Sequence, residues 1–250
     1  MTRTFKVLSV LLSYPAADFS AAAHELTELL CAERLLTPRQ IERLSPLIEE
    51  LATGDLFDNQ ERYVLLFDRT RSLSLHLFEH VHGESRDRGQ AMVDLIAVYE
   101  RAGLQVTAGE LPDFLPLFLE FLSTRPVAEA LELLSQPAHI LAAIAERLGK
   151  RKSSYAAVFG ILADLAKADP KAIEVRALIA LPDVDPTDLA ALDAAWVDEE
   201  VRFGPTAEAQ CGGDTLISKL RAANRPAPGI EPMARATPRT IVTHSPARNR

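Results

Sequence analysis

Three of the chain's six histidines fall within seven residues, in His76-Leu77-Phe78-Glu79-His80-Val81-His82-Gly83-Glu84. On a helix, His76 and His80 share a face one turn apart, with Glu79 beside them. The spelling H-x-x-E-H is that of the inverted zinc metallopeptidases. There, two histidines hold zinc and the glutamate acts as general base. The pattern fixes three positions in five and so arises often by chance, and no third ligand on a later helix can be picked out. Two other readings compete with it. In one, these groups cap and pair at a helix end. His80 or His82 then meets the helix dipole, Gly83 is the exit residue, and Glu84, Arg86, Asp87 and Arg88 form ion pairs across the turn. In the other, a polar hinge beside an apolar segment recognises an incoming basic peptide.

Other chemistries find no support. The chain has no G-x-x-x-x-G-K-[ST], no G-x-G-x-x-G and no G-x-S-x-G. Cys31 sits beside Leu29 and Leu30 in a helical stretch and reads as a packed side chain. Cys31 and Cys211 are the only cysteines, which excludes a disulfide framework and a four-cysteine zinc site and suits a reducing compartment. Trp196 reads as a core anchor in a terminal helix.

The elements that must position these residues are helical throughout. Phe5, Leu8 and Leu12 recur at helical spacing after Arg3 and Lys6. This start reads as the first helix of the mature domain, with no export signal. Thr37-Pro38-Arg39-Gln40 is a helix start with a capping box, followed by Ile41, Leu44, Ile48 and Leu51 on one face, and Gly54 ends it. Residues 85–103 form another helix, with Ser85 as cap, Asp87 in the first turn and Gly103 as left-handed exit. Met92, Leu95, Ile96, Tyr99 and Ala102 face inward. In 111–122, Phe114, Leu115, Leu117, Phe118, Leu119, Phe121 and Leu122 cover every side of a helix started by Pro112 and Pro116. Such a helix is either buried all round or lines a groove for a partner. Further helices are expected over 126–149, 154–168, 170–181 and 186–200, punctuated by Asp169-Pro170 and Pro182-Asp183.

Of the 250 residues, 48% are apolar and 25% charged, ample for a core without a metal or disulfide staple. Alanine, leucine and glutamate dominate, which favours helices over sheet. No run of eighteen apolar residues exists, so no helical membrane span is expected. Composition changes near Gly204. Residues 1–203 hold 20 basic and 32 acidic residues, net −12, whereas 204–250 hold 7 and 3, net +4, with six of the 16 prolines. The expected organisation is a single helical domain over 1–203 and a mostly disordered basic tail over 204–250, with a short helix at 214–223. The acidic balance argues against nucleic acid and anionic membrane as partners.

Three stretches carry a family resemblance: Tyr63-Val64-Leu65-Leu66-Phe67-Asp68, residues 73–92 spanning the histidine block, and Glu110-Leu111-Pro112-Asp113-Phe114-Leu115-Pro116. Over about residues 4–200 the chain resembles the NarJ-type chaperones of respiratory nitrate reductase, part of the wider TorD-like redox-enzyme maturation chaperones. Wider relatives carry E-x-P-D-H at the last block. Here Phe114 stands where they have the histidine, as is common in NarJ-type members.

The resemblance implies an all-α, TorD-like helical bundle without enzymatic activity, acting in the cytoplasm in nitrate assimilation as an unfolded-protein binder. The implied partner is the catalytic (alpha) subunit of nitrate reductase, chiefly its N-terminal segment. Proteins of molybdenum cofactor biosynthesis are further partners. The chaperone keeps the subunit competent for insertion of molybdopterin guanine dinucleotide and for membrane docking, and binds no cofactor stably itself. The expected client-binding residues are His76, Glu79, His80, His82, Glu84, Asp87, Arg88 and Gln90 from the histidine block. Glu110 and Asp113 join them as recognition acids, and Tyr63, Phe67, Phe114, Leu117 and Phe118 as groove wall. The alternatives are a maturation chaperone for another molybdoenzyme and, from a different class, the zinc hydrolase.

Overall fold

A computed structural model describes residues 2–82, 86–106, 109–185, 187–190, 192 and 239–241, with only the backbone of Arg86 and of 239–241. The helices are α1 (Arg3–Leu11), α2 (Phe19–Glu33), α3 (Pro38–Thr53), α4 (Leu56–Phe67), the single-turn α5 (Glu79–His82) and α6 (Arg86–Arg101). They continue with α7 (Leu115–Ser123), α8 (Val127–Leu134), α9 (Ala138–Lys150), α10 (Ala156–Leu165) and α11 (Ile173–Ala180). A 3-10 turn, Arg71–Leu73, follows α4.

Local chemistry accounts for the boundaries. Thr37 accepts a hydrogen bond from the Gln40 N–H, and the Gln40 side chain accepts one from the Thr37 N–H. This is the expected capping box, with Pro38 in the first turn where its missing N–H costs nothing. Asp55 caps α4 through the N–H groups of Phe57 and Asp58. Gly103 exits α6 at φ +76°, as expected for a residue without Cβ strain. Gly54 leaves α3 differently, in an extended conformation rather than a left-handed one. A Cβ there would lie 2.6 Å from the Glu50 carbonyl oxygen, so the close approach explains the glycine.

Two expected helices are shorter or divided. The segment 126–149 breaks at Ser135-Gln136-Pro137 into α8 and α9, because Pro137 cannot continue a helix and starts the next one. The segment 111–122 begins its helix only at Leu115, after a turn through Pro112 and Asp113. Of 186–200, Leu189, Ala190 and Leu192 are helical, and the rest, bar 187 and 188, lies outside the described residues, as does Trp196. The reading of 204–250 also falls outside them, including the helix at 214–223 and Cys211. The exception is β2 (Arg239–Ile241), which pairs in parallel with β1 (Leu104–Val106).

α7 is the central element. Leu115, Leu117, Phe118, Leu119, Phe121 and Leu122 are all buried. α1 packs along it, and the Ser9 hydroxyl donates to the Pro116 carbonyl at 2.7 Å. α10 packs on α9, α2 on α3, and α11 on α9. Tyr63, Phe67, Tyr155 and Phe159 stack as a chain of rings inside, with Phe67 edge-on to Tyr155 at 5.1 Å. Buried side chains of this size each contribute about 1.5–3 kcal/mol. Among the described residues no helix is long and apolar enough to cross a membrane.

Candidate functional site

Two blocks far apart in sequence meet as a pair of extended segments. His76 and Phe114 form an antiparallel bridge. The Leu115 N–H donates to the Leu75 carbonyl at 2.8 Å, and the Leu77 N–H to the Asp113 carbonyl at 3.1 Å. Side chains reinforce the crossing. The Asp113 carboxylate accepts from the Phe78 N–H at 3.0 Å and lies 3.3 Å from His76 Nδ1. A carboxylate only accepts, so the histidine nitrogen is the donor. His80 Nε2 donates to the Ser74 carbonyl at 2.8 Å, and Tyr99 Oη to the Pro112 carbonyl at 2.8 Å.

This geometry corrects the helical reading of the histidines. His76 lies in extended backbone, and only Glu79–His82 are helical. His76 and His80 therefore do not share a helix face, and each ring already spends one nitrogen on the protein. The H-x-x-E-H spelling lacks the geometry that zinc hydrolysis needs. Among the described residues no group of three or more His, Cys, Asp and Glu side chains is placed to hold a metal ion.

Electrostatics divide the two histidines. For His76, burial pulls the pKa down, but the hydrogen bond and charge of Asp113 outweigh it, and the net shift is upward. For His80, burial dominates over the Ser74 hydrogen bond and the charge of Glu79, and the pKa is lowered. His80 is thus the better neutral donor, and His76 the better cation.

The expected site residues scatter between surface and core. Asp113 is 0% exposed and braces backbone. As placed, it is no surface recognition acid. Tyr63, Phe67, Leu117 and Phe118 belong to the core, at 4% exposure or less. They offer a docked peptide no surface, because their side chains are packed in the core and the Tyr63 hydroxyl donates to the Leu12 carbonyl at 2.9 Å. Glu84 lies outside the described residues. The remaining residues are exposed or half-buried. Glu79 pairs with Arg88 at 3.1 Å, while Asp87 and Gln90 are exposed, and Gln90 donates to Asp94 at 3.2 Å. Glu110 is half-buried, His82 packs edge-on against Phe78, and the Phe114 ring lies on His76 at 5.4 Å between centroids.

Three features escaped the sequence reading. Leu111, beside Glu110, is 46% exposed. Its place in a proline-flanked turn was the available signal. Arg147 is buried and donates to the carbonyls of Ser72, Leu178 and Leu181, tying the 3-10 turn to the end of α11. It falls on the same helix face as Ile140, Ile144 and Leu148, a charge in an apolar stripe. Cys31, read as packed, is exposed, because the buried face of α2 runs through Phe19, Ala23, Leu26 and Leu30.

The fold is helical, and at the site the buried acid Asp113, with His76 and His80, braces the two blocks against each other. A family model for the nitrate reductase delta subunit matches residues 16–160. Over 215 residues the chain is 44% identical to the nitrate reductase molybdenum cofactor assembly chaperone NarJ of Escherichia coli K12, covering 86% of this chain and 90% of that protein. It is 42% identical over 202 residues to the probable nitrate reductase molybdenum cofactor assembly chaperone NarW of the same strain, covering 79% and 82%. With the probable NarJ of Bacillus subtilis it shares 33% over 160 residues, 64% of this chain and 85% of that one. The chain belongs to the nitrate reductase delta subunit family, and its NarJ and NarW relatives are named as established or probable molybdenum cofactor assembly chaperones.

Proposed function

We propose that this protein is a dedicated cytoplasmic chaperone of a respiratory nitrate reductase. It binds the N-terminal segment of the catalytic subunit and keeps that subunit open for insertion of molybdopterin guanine dinucleotide before membrane docking. The likeness to the Escherichia coli chaperone along nearly the full length of both chains carries this reading. The names of the matched relatives all point to nitrate reductase, which favours that client over another molybdoenzyme.

The surface supports a division of labour. The His76–Asp113–Phe78 brace, buried at Asp113 and Phe78, fixes the relative position of the two blocks. Around it, Glu79, His82, Asp87, Arg88, Gln90, Glu110, Leu111 and Phe114 form the contact patch. A domain at −12 attracts a basic segment from a distance. The cofactor is cargo for the client, and the chaperone's residues act on the client polypeptide.

Co-purification tests this reading. Tagged chaperone should retain the cofactor-free catalytic subunit and lose it when the subunit's N-terminal segment is removed. Equal retention of the truncated subunit would contradict the proposed mode of binding.

A further inference from the structure

We propose that the cavity between α1, α2 and the 14–18 connection receives an apolar side chain from a cationic, amphipathic segment of the client. This rests on the client-binding role above and adds where the apolar half of recognition takes place. The core burial of Tyr63, Phe67, Leu117 and Phe118 removes the floor from the histidine-block surface, so apolar anchoring needs another place.

The cavity follows from residue size. Phe19 and Leu26 of α2 are buried and form its base. Val10 of α1, Ala22 of α2 and Leu51 of α3 are half-buried walls. Ser13, Ala16 and Ala22 are too small to fill the space between them, which leaves a volume of about 270 Å³. Both serine hydroxyls here are already satisfied: Ser13 donates to the Ser9 carbonyl, and Ser9 to that of Pro116. The walls are therefore mainly apolar and open to water, a combination that favours an apolar ligand.

Charge selects the kind of ligand. Asp18 lies at the mouth, is exposed, and makes no cap hydrogen bond to α2. Glu120 of α7 also lines it, and Lys6, the only base among the described residues that line the cavity, is already paired with it at 2.7 Å. The outer face of α2 adds Glu25 and Glu28, and the helix contains no lysine or arginine. A segment with one apolar side chain inside and a lysine or arginine beside Asp18 matches this mouth.

Calorimetric titration of the full chain with a synthetic peptide of the client's N-terminal segment tests this. Ala22→Trp fills the cavity, and Asp18→Lys reverses its mouth without touching a packed residue. Melting curves check that both variants fold. Ala22→Trp should weaken binding by about tenfold or more, the scale of one lost apolar side-chain contact. Asp18→Lys should weaken it several-fold and flatten its salt dependence. If Ala22→Trp does not fold, Asp18→Lys decides alone. Wild-type affinity in the folded variants overturns the anchor pocket and leaves the client reading standing. A wild-type chain that does not bind the peptide overturns the client reading and the pocket with it. A change in sedimentation mass for Ala22→Trp at unchanged peptide affinity would assign the cavity to a second copy of the chain and overturn the proposal.

Discussion

The buried carboxylate of Asp113 joins two segments 35 residues apart, because one oxygen accepts the Phe78 N–H and the other faces His76 Nδ1. Removing the carboxylate leaves a buried backbone donor without a partner, a loss of about 1–3 kcal/mol for that group alone. Asp113→Ala is expected to lower stability by about 2–4 kcal/mol in chemical denaturation, with the histidine contact included. Asp113→Asn keeps an oxygen for Phe78 and should cost less. Equal stability of Asp113→Ala and wild type would contradict the bracing role.

The two histidines should give stability opposite pH dependences. His76 has a raised folded pKa, so its contribution is full below the ordinary value of about 6.5 and is lost as pH rises through the raised value. His80 has a lowered one, so its contribution is full above about 6.5 and is lost as pH falls through the lowered value. His139, also lowered by burial, adds to the same acid-side loss. Asp113, Glu79 and Arg88 act on His76, and Glu79, Arg147 and His139 on His80. Melting temperatures across about pH 5 to 8 should show His76→Gln flattening the alkaline limb and His80→Gln the acid limb. Superimposable profiles for the two variants would refute this assignment.

Arg147 should hold the end of α11 on the 3-10 turn. Arg147→Met removes the guanidinium donor from the carbonyls of Ser72, Leu178 and Leu181, of which Leu178 keeps the Leu181 N–H, at a cost of about 2–4 kcal/mol offset in part by no longer burying a charge. Hydrogen exchange should then speed up in 71–74 and 173–184 together. Acceleration confined to α9 would mean that the arginine serves only its own helix.

Much of this architecture was legible from residue spacing. The Thr37–Gln40 box and the Gly103 exit are local, and each stood as expected. What was missed depends on contacts distant in sequence. Periodicity placed His76 and His80 on one helix, and nothing nearby announces that Asp113 holds residue 78 in place. The apolar run of α7 allowed either a groove or a core, and only the packing of α1 along it decides for core. Pro137 is a readable break within 126–149, although the apolar period continues across it. Cys31 sits one residue beyond Leu30, enough to rotate it about 100° from the buried stripe.

Surface charge on the patch should matter to binding and not to folding. Glu79→Lys with Asp87→Lys replaces two outward acids beside the braced blocks. The double variant should melt within a few degrees of wild type. It should bind the client's N-terminal peptide more weakly by about 1–3 kcal/mol, with a shallower salt dependence. Unchanged affinity in titration calorimetry would place the charge contacts elsewhere on the protein.

The most direct test of the assembly role is the molybdenum content of the nitrate reductase catalytic subunit purified from cells lacking this chain. The subunit should be made in normal amount but carry little molybdenum and reduce little nitrate. Restoring the wild-type chain should restore both, and the Asp113→Ala variant should not. A subunit with full molybdenum in cells lacking the chain would contradict the central claim.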